Sequence, residues 1–264
     1  MTSEPLTHTG IHPAAFVDPA AEIGAGVSIG PGSVVGPNVR IGENTTIGAN
    51  CLIEGWTEIG SGCRLYHGVV IGTEPQDFKY GNEKTFVRIG NSNIFREYAT
   101  VHRATGEGEA TVVGDKNFIM AYVHIAHNCL VGNSTVLANG VTMAGHVTIE
   151  DNAAISGLCV IHQFVRMGSY SYTGGGSRIT MDILPFIKVA GNPALVNGLN
   201  SVGLRRNGFQ PETIGVLKRA YRLIFRSNLN VTQALEKMRS ELPMIDEVSH
   251  LIRFIEGSER GIQL

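Results

Sequence analysis

Along most of this chain one residue in six is aliphatic, and the repeat keeps a single phase. Stepping by six from Ile11 gives Val17, Ile23, Ile29, Val35, Ile41, Ile47, Ile53, Ile59, Leu65 and Ile71. The phase resumes at Ile89 and runs through Phe95, Val101, Val113, Ile119, Ile125, Val131, Leu137, Met143, Ile149, Ile155, Ile161 and Met167 to Ile179. Glycine often follows, as in Ile23-Gly24, Ile29-Gly30, Ile41-Gly42, Ile59-Gly60 and Val131-Gly132. A period of six matches neither an amphipathic helix nor simple strand alternation. It suits a short strand plus a turn, repeated, with one aliphatic side chain pointing inward each time. Three repeats close a triangular coil, and stacked coils pair their strands at about 4.8 Å. The pattern therefore predicts a mainly β protein built as a parallel β-helix, a quasi-one-dimensional solenoid. A β-sandwich does not hold one phase over this length.

Two stretches interrupt the ladder. Residues 72–88 contain Gln76-Asp77-Phe78-Lys79-Tyr80 and lack the hexad pattern, yet span a whole number of hexads. In residues 103–112 the expected aliphatic is Glu107, which predicts that about one hexad is looped out. Loops carried on a rigid scaffold are a usual home for function. Beyond Ile179 the ladder fades, and helical periodicity follows Gly191-Asn192-Pro193. Pro211 suits the first position of a helix, with Ile214, Leu217, Tyr221, Ile224 and Phe225 along one face. Asn230 can cap a second helix carrying Ala234, Leu235, Met238 and Leu242, and a third would bury Ile245, Val248, Leu251, Ile252 and Ile255. The expected organisation is a β-helix over 1–190, after a lead-in from Met1 to Gly10, and a C-terminal α-helical domain over 191–264. Capping the solenoid end is that domain's minimum role.

Composition narrows the function classes. Glycine is abundant (33 residues) and aromatics are scarce (7%), as a narrow prism of turns requires. A net charge of −2 argues against a general nucleic-acid binder. Neither a signal-peptide core nor a membrane-length apolar run occurs, so a cytoplasmic protein is expected. Cys51, Cys63, Cys129 and Cys159 each fall four places after a ladder aliphatic, a slot that Val27, Val39, Val69, Val123, Val141, Val147 and Val165 also fill. They read as small buried apolar side chains, not as disulfides, metal ligands or nucleophiles.

Five of the nine histidines cluster: His102, His124, His127, His146 and His162. Counted round an eighteen-residue coil, His162 is at phase 0, His127 at 1 and His146 at 2, while His124 precedes His127 by three residues. With one hexad looped out after Arg103, His102 also falls at phase 0. Successive coils thus place these side chains along one corner of the prism, with His8, His12, His67 and His250 outside it. Three readings fit such a corner: polar residues that hydrate it, a metal site of neutral imidazoles, or acid–base chemistry by a histidine titrating near ~6.5. The γ-carbonic anhydrases build a three-histidine zinc site on a related trimeric fold. Their paired ligands are five residues apart, however, and His124 and His127 are three apart.

More specific motifs stand in order: Gln76-Asp77-Phe78-Lys79-Tyr80, His124-Ile125-Ala126-His127-Asn128-Cys129, Ala144-Gly145-His146, His162-Gln163-Phe164 and Gly203-Leu204-Arg205-Arg206-Asn207-Gly208-Phe209. Together they resemble the UDP-N-acetylglucosamine O-acyltransferases, the first enzymes of lipid A biosynthesis, over nearly the whole chain. The resemblance implies a left-handed β-helix that forms a homotrimer with active sites in clefts between subunits. It implies transfer of a 3-hydroxyacyl group from acyl carrier protein to the 3-position of the UDP-sugar by direct attack on the thioester. The donor brings its own phosphopantetheine arm, and no further cofactor or metal is implied.

Carried over by motif, His127 is the general base and the Gly145 N–H stabilises the oxyanion. Gln76, Asp77, Lys79, His102, His124, His146, His162 and Gln163 line the substrate cleft, and Asn200 and Arg206 contact nucleotide and phosphate. Gly175 falls where the family limits acyl-chain length, and glycine there leaves room for a longer chain. Arg166, Arg178, Lys188, Lys218 and Arg219 offer a basic surface to the acidic carrier protein. Three positions depart from the family: Asn128 replaces an aspartate after the base, Val202 an acidic nucleotide contact, and Asn207 a second arginine. A 3-amino analogue of the sugar is an alternative acceptor. On the same fold a γ-carbonic-anhydrase-like metalloenzyme, a coenzyme A-dependent acetyltransferase or a non-catalytic scaffold are the competing classes.

Overall fold

A computed structural model describes residues 10–264; His8 and the rest of residues 1–9 lie outside the described residues. From Phe16 to Ile179 the chain forms parallel strands of two to four residues, which distribute in rotation among three sheets. Partners such as Thr142↔Val160 and Thr148↔Arg166 lie eighteen residues apart, one triangular coil. The offset widens to thirty at Val70↔Thr100 and to twenty-four at Thr100↔His124. Two hexads are thus inserted after Ile71 and one after Val101, without loss of phase. The outcome is a left-handed parallel β-helix.

The ladder is the core. Ile29, Ile53, Ile71, Ile119, Ile125, Leu137, Met143, Ile149 and Ile155 are drawn from all three sheets and are at most 1% exposed. Burying each such side chain contributes on the order of 2 kcal/mol. Ile11, on the first described coil, remains half exposed. All four cysteines are free and buried, each with its thiol against a backbone carbonyl, as for Cys129 Sγ and Ala144 O at 3.2 Å. Burial pushes the Cys129 thiol up to about 12, so it does not ionise at neutral pH.

The corners need a left-handed backbone conformation, which asparagine and glycine tolerate best. Asn44, Asn50, Asn128 and Asn152 take it, but so do His146 and Phe164 on successive coils. Their rings stack at 4.7 Å, one above the other, at the corner that carries the histidines.

Pairing continues past Ile179 through a Met167↔Ile183 bridge and strand Ile187–Ala190, which receives the antiparallel strand Leu195–Leu199. Four helices follow: α1 (Ser201–Arg206), α2 (Pro211–Phe225), α3 (Val231–Glu241) and α4 (Asp246–Glu256). Pro211 opens α2, and Asn230 with Gln233 forms a capping box on α3. α4 docks on the β-helix through His250 Nε2, 2.8 Å from Glu150 Oε2, and through the Arg166 guanidinium 4.1 Å from the Phe254 ring. Sequence periodicity did not reveal α1, which is too short to carry a repeat. Among the described residues no helix is long and apolar enough to cross a membrane.

Candidate active site

Strands Thr100–His102, His124–Ile125, Thr142–Met143 and Val160–Ile161 are consecutive rungs of one sheet. Their outward positions, the turns after them and the 72–88 excursion enclose a cavity of about 700 Å³. Gln76, Asp77, Lys79, His102, His124, His127, Gly145, His146 and Gln163 all line it. The predicted corner therefore gathers four of its five histidines and the loop motif in one place.

Each histidine has its own environment. His102 is 8% exposed and donates from Nδ1 to the Glu74 carbonyl at 2.6 Å. His124 Nδ1 pairs with Thr100 Oγ1 at 2.8 Å, and its ring lies 5.1 Å from that of His102. Burial lowers both pKa values, to about 4 for His124, where the neighbouring His102 and His127 add to the effect. His146 is likewise lowered, by burial first and then by His127, whose ring it meets edge-on at 5.2 Å. These three rings are neutral at pH 7 and act as hydrogen-bonding, not charged, walls.

His127 is set differently. Its Nδ1 lies 2.9 Å from Asn128 Oδ1. The same amide is clamped to Thr105: Oδ1 accepts from the Thr105 N–H at 2.9 Å and from Oγ1 at 3.1 Å, and Nδ2 donates to the Thr105 carbonyl at 3.0 Å. A backbone N–H only donates and a carbonyl only accepts, so the clamp fixes which end of the amide is oxygen. His127 Nδ1 must then carry the proton, and Nε2 presents its lone pair to the cavity. Asp77 Oδ2 faces Nε2 at 3.9 Å, beyond hydrogen-bond range. Asp77 Oδ1 accepts from the Lys79 N–H at 3.0 Å, which shapes the loop tip.

Gly145 lies against the imidazole. A Cβ added there would fall 2.5 Å from His127 Nε2 and collide with Cε1 as well. Its N–H makes no hydrogen bond to the described residues, leaving a donor beside Nε2. A base with a free lone pair and a backbone donor at its side is an arrangement suited to acyl transfer. Among the described residues no group of three or more His, Cys, Asp or Glu is placed to hold a metal ion.

Four of the residues picked from sequence for the substrates and the acyl chain lie off this cavity wall. His162 points away, its Nδ1 2.8 Å from the Arg260 guanidinium, although Ile161 and Gln163 on either side line the cavity. Asn200 is buried and caps α1: Oδ1 accepts from the Gly203 N–H and Nδ2 donates to the Tyr170 carbonyl. Arg206 is exposed at the end of α1, and Gly175 sits beside Gly157. Arg166, picked for the basic surface, donates to the Phe254 and Gly257 carbonyls. Sequence reasoning missed Thr142, Val160 and Phe164 on the wall. Val160 had a signal: an exposed aliphatic at the outward position just before a ladder residue, where solvent alone would favour a polar one.

Known proteins converge on one family. A family profile described as "Udp N-acetylglucosamine O-acyltransferase; Domain 2" matches residues 182–263, and a bacterial transferase hexapeptide profile matches 38–73 and 110–145. The chain is 51% identical over 253 residues to an acyl-[acyl-carrier-protein]–UDP-N-acetylglucosamine O-acyltransferase of Thermodesulfovibrio yellowstonii, covering 96% of this chain and 98% of that one. It is 47% identical to the enzyme of the same name from Burkholderia lata, covering 96% and 99%. Among solved structures, the UDP-N-acetylglucosamine acyltransferase of Bacteroides fragilis superposes with a TM-score of 0.93 at 41% identity, covering 96% and 99% of the two chains.

Proposed function

The chain belongs to the acyl-[acyl-carrier-protein]–UDP-N-acetylglucosamine O-acyltransferase family, and from that membership we propose how its residues carry the reaction. It is an acyltransferase of lipid A biosynthesis that moves an acyl group from acyl carrier protein to UDP-N-acetylglucosamine. In the proposed mechanism His127 Nε2 takes the proton from the sugar 3-hydroxyl as that oxygen attacks the thioester carbonyl. The Gly145 N–H stabilises the oxyanion of the tetrahedral intermediate. Collapse breaks the C–S bond, and the phosphopantetheine sulfur leaves with the proton returned from Nε2. No acyl-enzyme forms. The observation that carries this reading is the Asn128–Thr105 clamp, which supports a single His127 tautomer.

The other residues have supporting roles in this reading. Lys79, Asp77 and Gln76 hold sugar and phosphate groups, and neutral His102, His124 and His146 with Gln163 shape the cleft. Arg206 contacts phosphate from α1, whose start Asn200 caps. His162 acts from the adjoining surface, and Gly175 leaves room for a longer 3-hydroxyacyl chain. Exposed Leu130, Leu158, Val160 and Phe164 favour a homotrimer whose clefts are completed by a second copy. Lys218 and Arg219 on α2, with Arg178 and Lys188, offer basic surface to the carrier protein. Four free thiols suit a cytoplasmic setting.

The test is transfer from a 3-hydroxyacyl carrier protein series to UDP-N-acetylglucosamine beside its 3-amino analogue, with wild type and His127→Ala. Product from wild type alone supports the base assignment, and the acceptor ratio settles the sugar. Near-wild-type turnover by His127→Ala removes it.

A further inference from the structure

The excursion that brings Gln76, Asp77 and Lys79 to the cavity is tied down by a buried charge that the mechanism does not use. Arg103 is 8% exposed and stands where the second excursion leaves the β-helix. Its backbone N–H donates to the Thr73 carbonyl at 3.1 Å. Nη1 donates to the Gly72 carbonyl at 2.9 Å, and Nε and Nη2 both donate to Tyr80 Oη, at 3.2 and 3.0 Å. Nη2 also lies 3.5 Å from Glu74 Oε1.

These anchors bracket the loop. Gly72 and Glu74 precede the three cavity residues, and Tyr80 follows them. The guanidinium itself is not on the cavity wall. Burying a guanidinium is costly unless its donors are used, and here all three nitrogens are. The coil beneath is cleared for it: Gly55 has φ +63°, and a Cβ there would fall 2.8 Å from Arg103 Nη1. Only a planar fork reaches both anchors at once; an ammonium is a single point charge.

We propose that Arg103 is a positioning residue, bridging Gly72 at the entry of the excursion to Tyr80 at its exit so that Asp77 and Lys79 face the nucleotide sugar. The identity of that ligand rests on the transferase reading; the clamp does not.

The experiment uses the full chain with Arg103→Met, Arg103→Lys, Tyr80→Phe, Lys79→Ala and the double variant Arg103→Met/Lys79→Ala. Two readouts are taken: KM for each substrate, and the rate of tryptic cleavage at Lys79 and Lys84. Arg103→Met is expected to raise KM for UDP-N-acetylglucosamine on the order of tenfold or more, with KM for the acyl donor unchanged. It should also speed cleavage within the loop. Arg103→Lys should stay defective, and Tyr80→Phe, which keeps the guanidinium, should shift both readouts the same way by less. The double variant should lose less than the sum of the two single losses, because part of the effect of Arg103 runs through Lys79. Wild-type cleavage with unchanged KM, full rescue by lysine, or additive losses in the double variant would each overturn the proposal. Proteolysis needs no turnover, so it tests the clamp even if the sugar proves to be another one.

Discussion

Asn128 Oδ1 lies 2.9 Å from His127 Nδ1, and Thr105 holds that oxygen in place from both its N–H and its hydroxyl. A neutral amide therefore orients the ring. What it omits is charge: in the proposed mechanism the imidazolium formed on proton transfer gains no carboxylate beside Nδ1. Asn128→Asp should leave turnover unchanged or raise it and move the acidic limb of the pH–rate profile upward, since a nearby carboxylate favours the protonated ring. Asn128→Ala releases the tautomer and should lower kcat about tenfold to a hundredfold. Steady-state kinetics between pH 5 and 9 check both, and a large loss in Asn128→Asp would mean that the Nδ2 bond to Thr105 matters more than charge.

His127→Ala should cost on the order of 10² to 10⁴ in kcat, the usual yield of a positioned base. The side chain lies outside the aliphatic ladder, so the protein should keep the wild-type mass by light scattering and its melting temperature within a few degrees.

Gly145→Ala sets a methyl where the His127 ring now sits. The imidazole must move, so on the proposed mechanism kcat should fall at least as far as in Asn128→Ala while the ladder residues stay packed. A crystal structure of the variant should show the imidazole displaced; an unmoved ring with normal turnover would remove the close-packing argument.

The half-buried His124 makes stability depend on pH. Its folded value is lowered to about 4, by burial first, against 6.5 for a free histidine. Between those values the unfolded chain binds a proton that the folded chain does not, so stability falls as pH drops from about 6.5 towards 4. For one such ring the loss is on the order of 1–3 kcal/mol. Urea midpoints at pH 7.5 and 5 should differ for wild type and differ less for His124→Gln; equal pH dependence in both would place the effect elsewhere.

At Gly175 an added Cβ would be 3.4 Å from the Gly157 carbonyl, a contact that small shifts accommodate. Gly175→Met should therefore fold and prefer a shorter acyl chain than wild type. Competition among carrier proteins of graded chain length reads this directly, and an unchanged profile would move the chain-length limit to other residues.

The hexad phase determined the β-helix, its eighteen-residue coil and that the first excursion inserts whole hexads and the second about one, because each strand and turn obeys the same local sterics on every coil. It likewise stacked His102, His124, His127 and His146 at one corner, since position round a regular coil is set by counting. The apolar faces of α2, α3 and α4 were legible for the same reason. Counting could not say which way a corner side chain turns, and His162 turns to Arg260, a residue from beyond the last helix. Nor could it find the partner that assigns the His127 proton, since Thr105 sits twenty-three residues before Asn128 in an irregular loop. Nor could it show that Arg103 is buried under an excursion, or that Asn200, picked as a nucleotide contact, caps a helix. Periodic contacts repeat in the sequence and can be read from it. Contacts between two different loops occur once, and only the tertiary structure decides them.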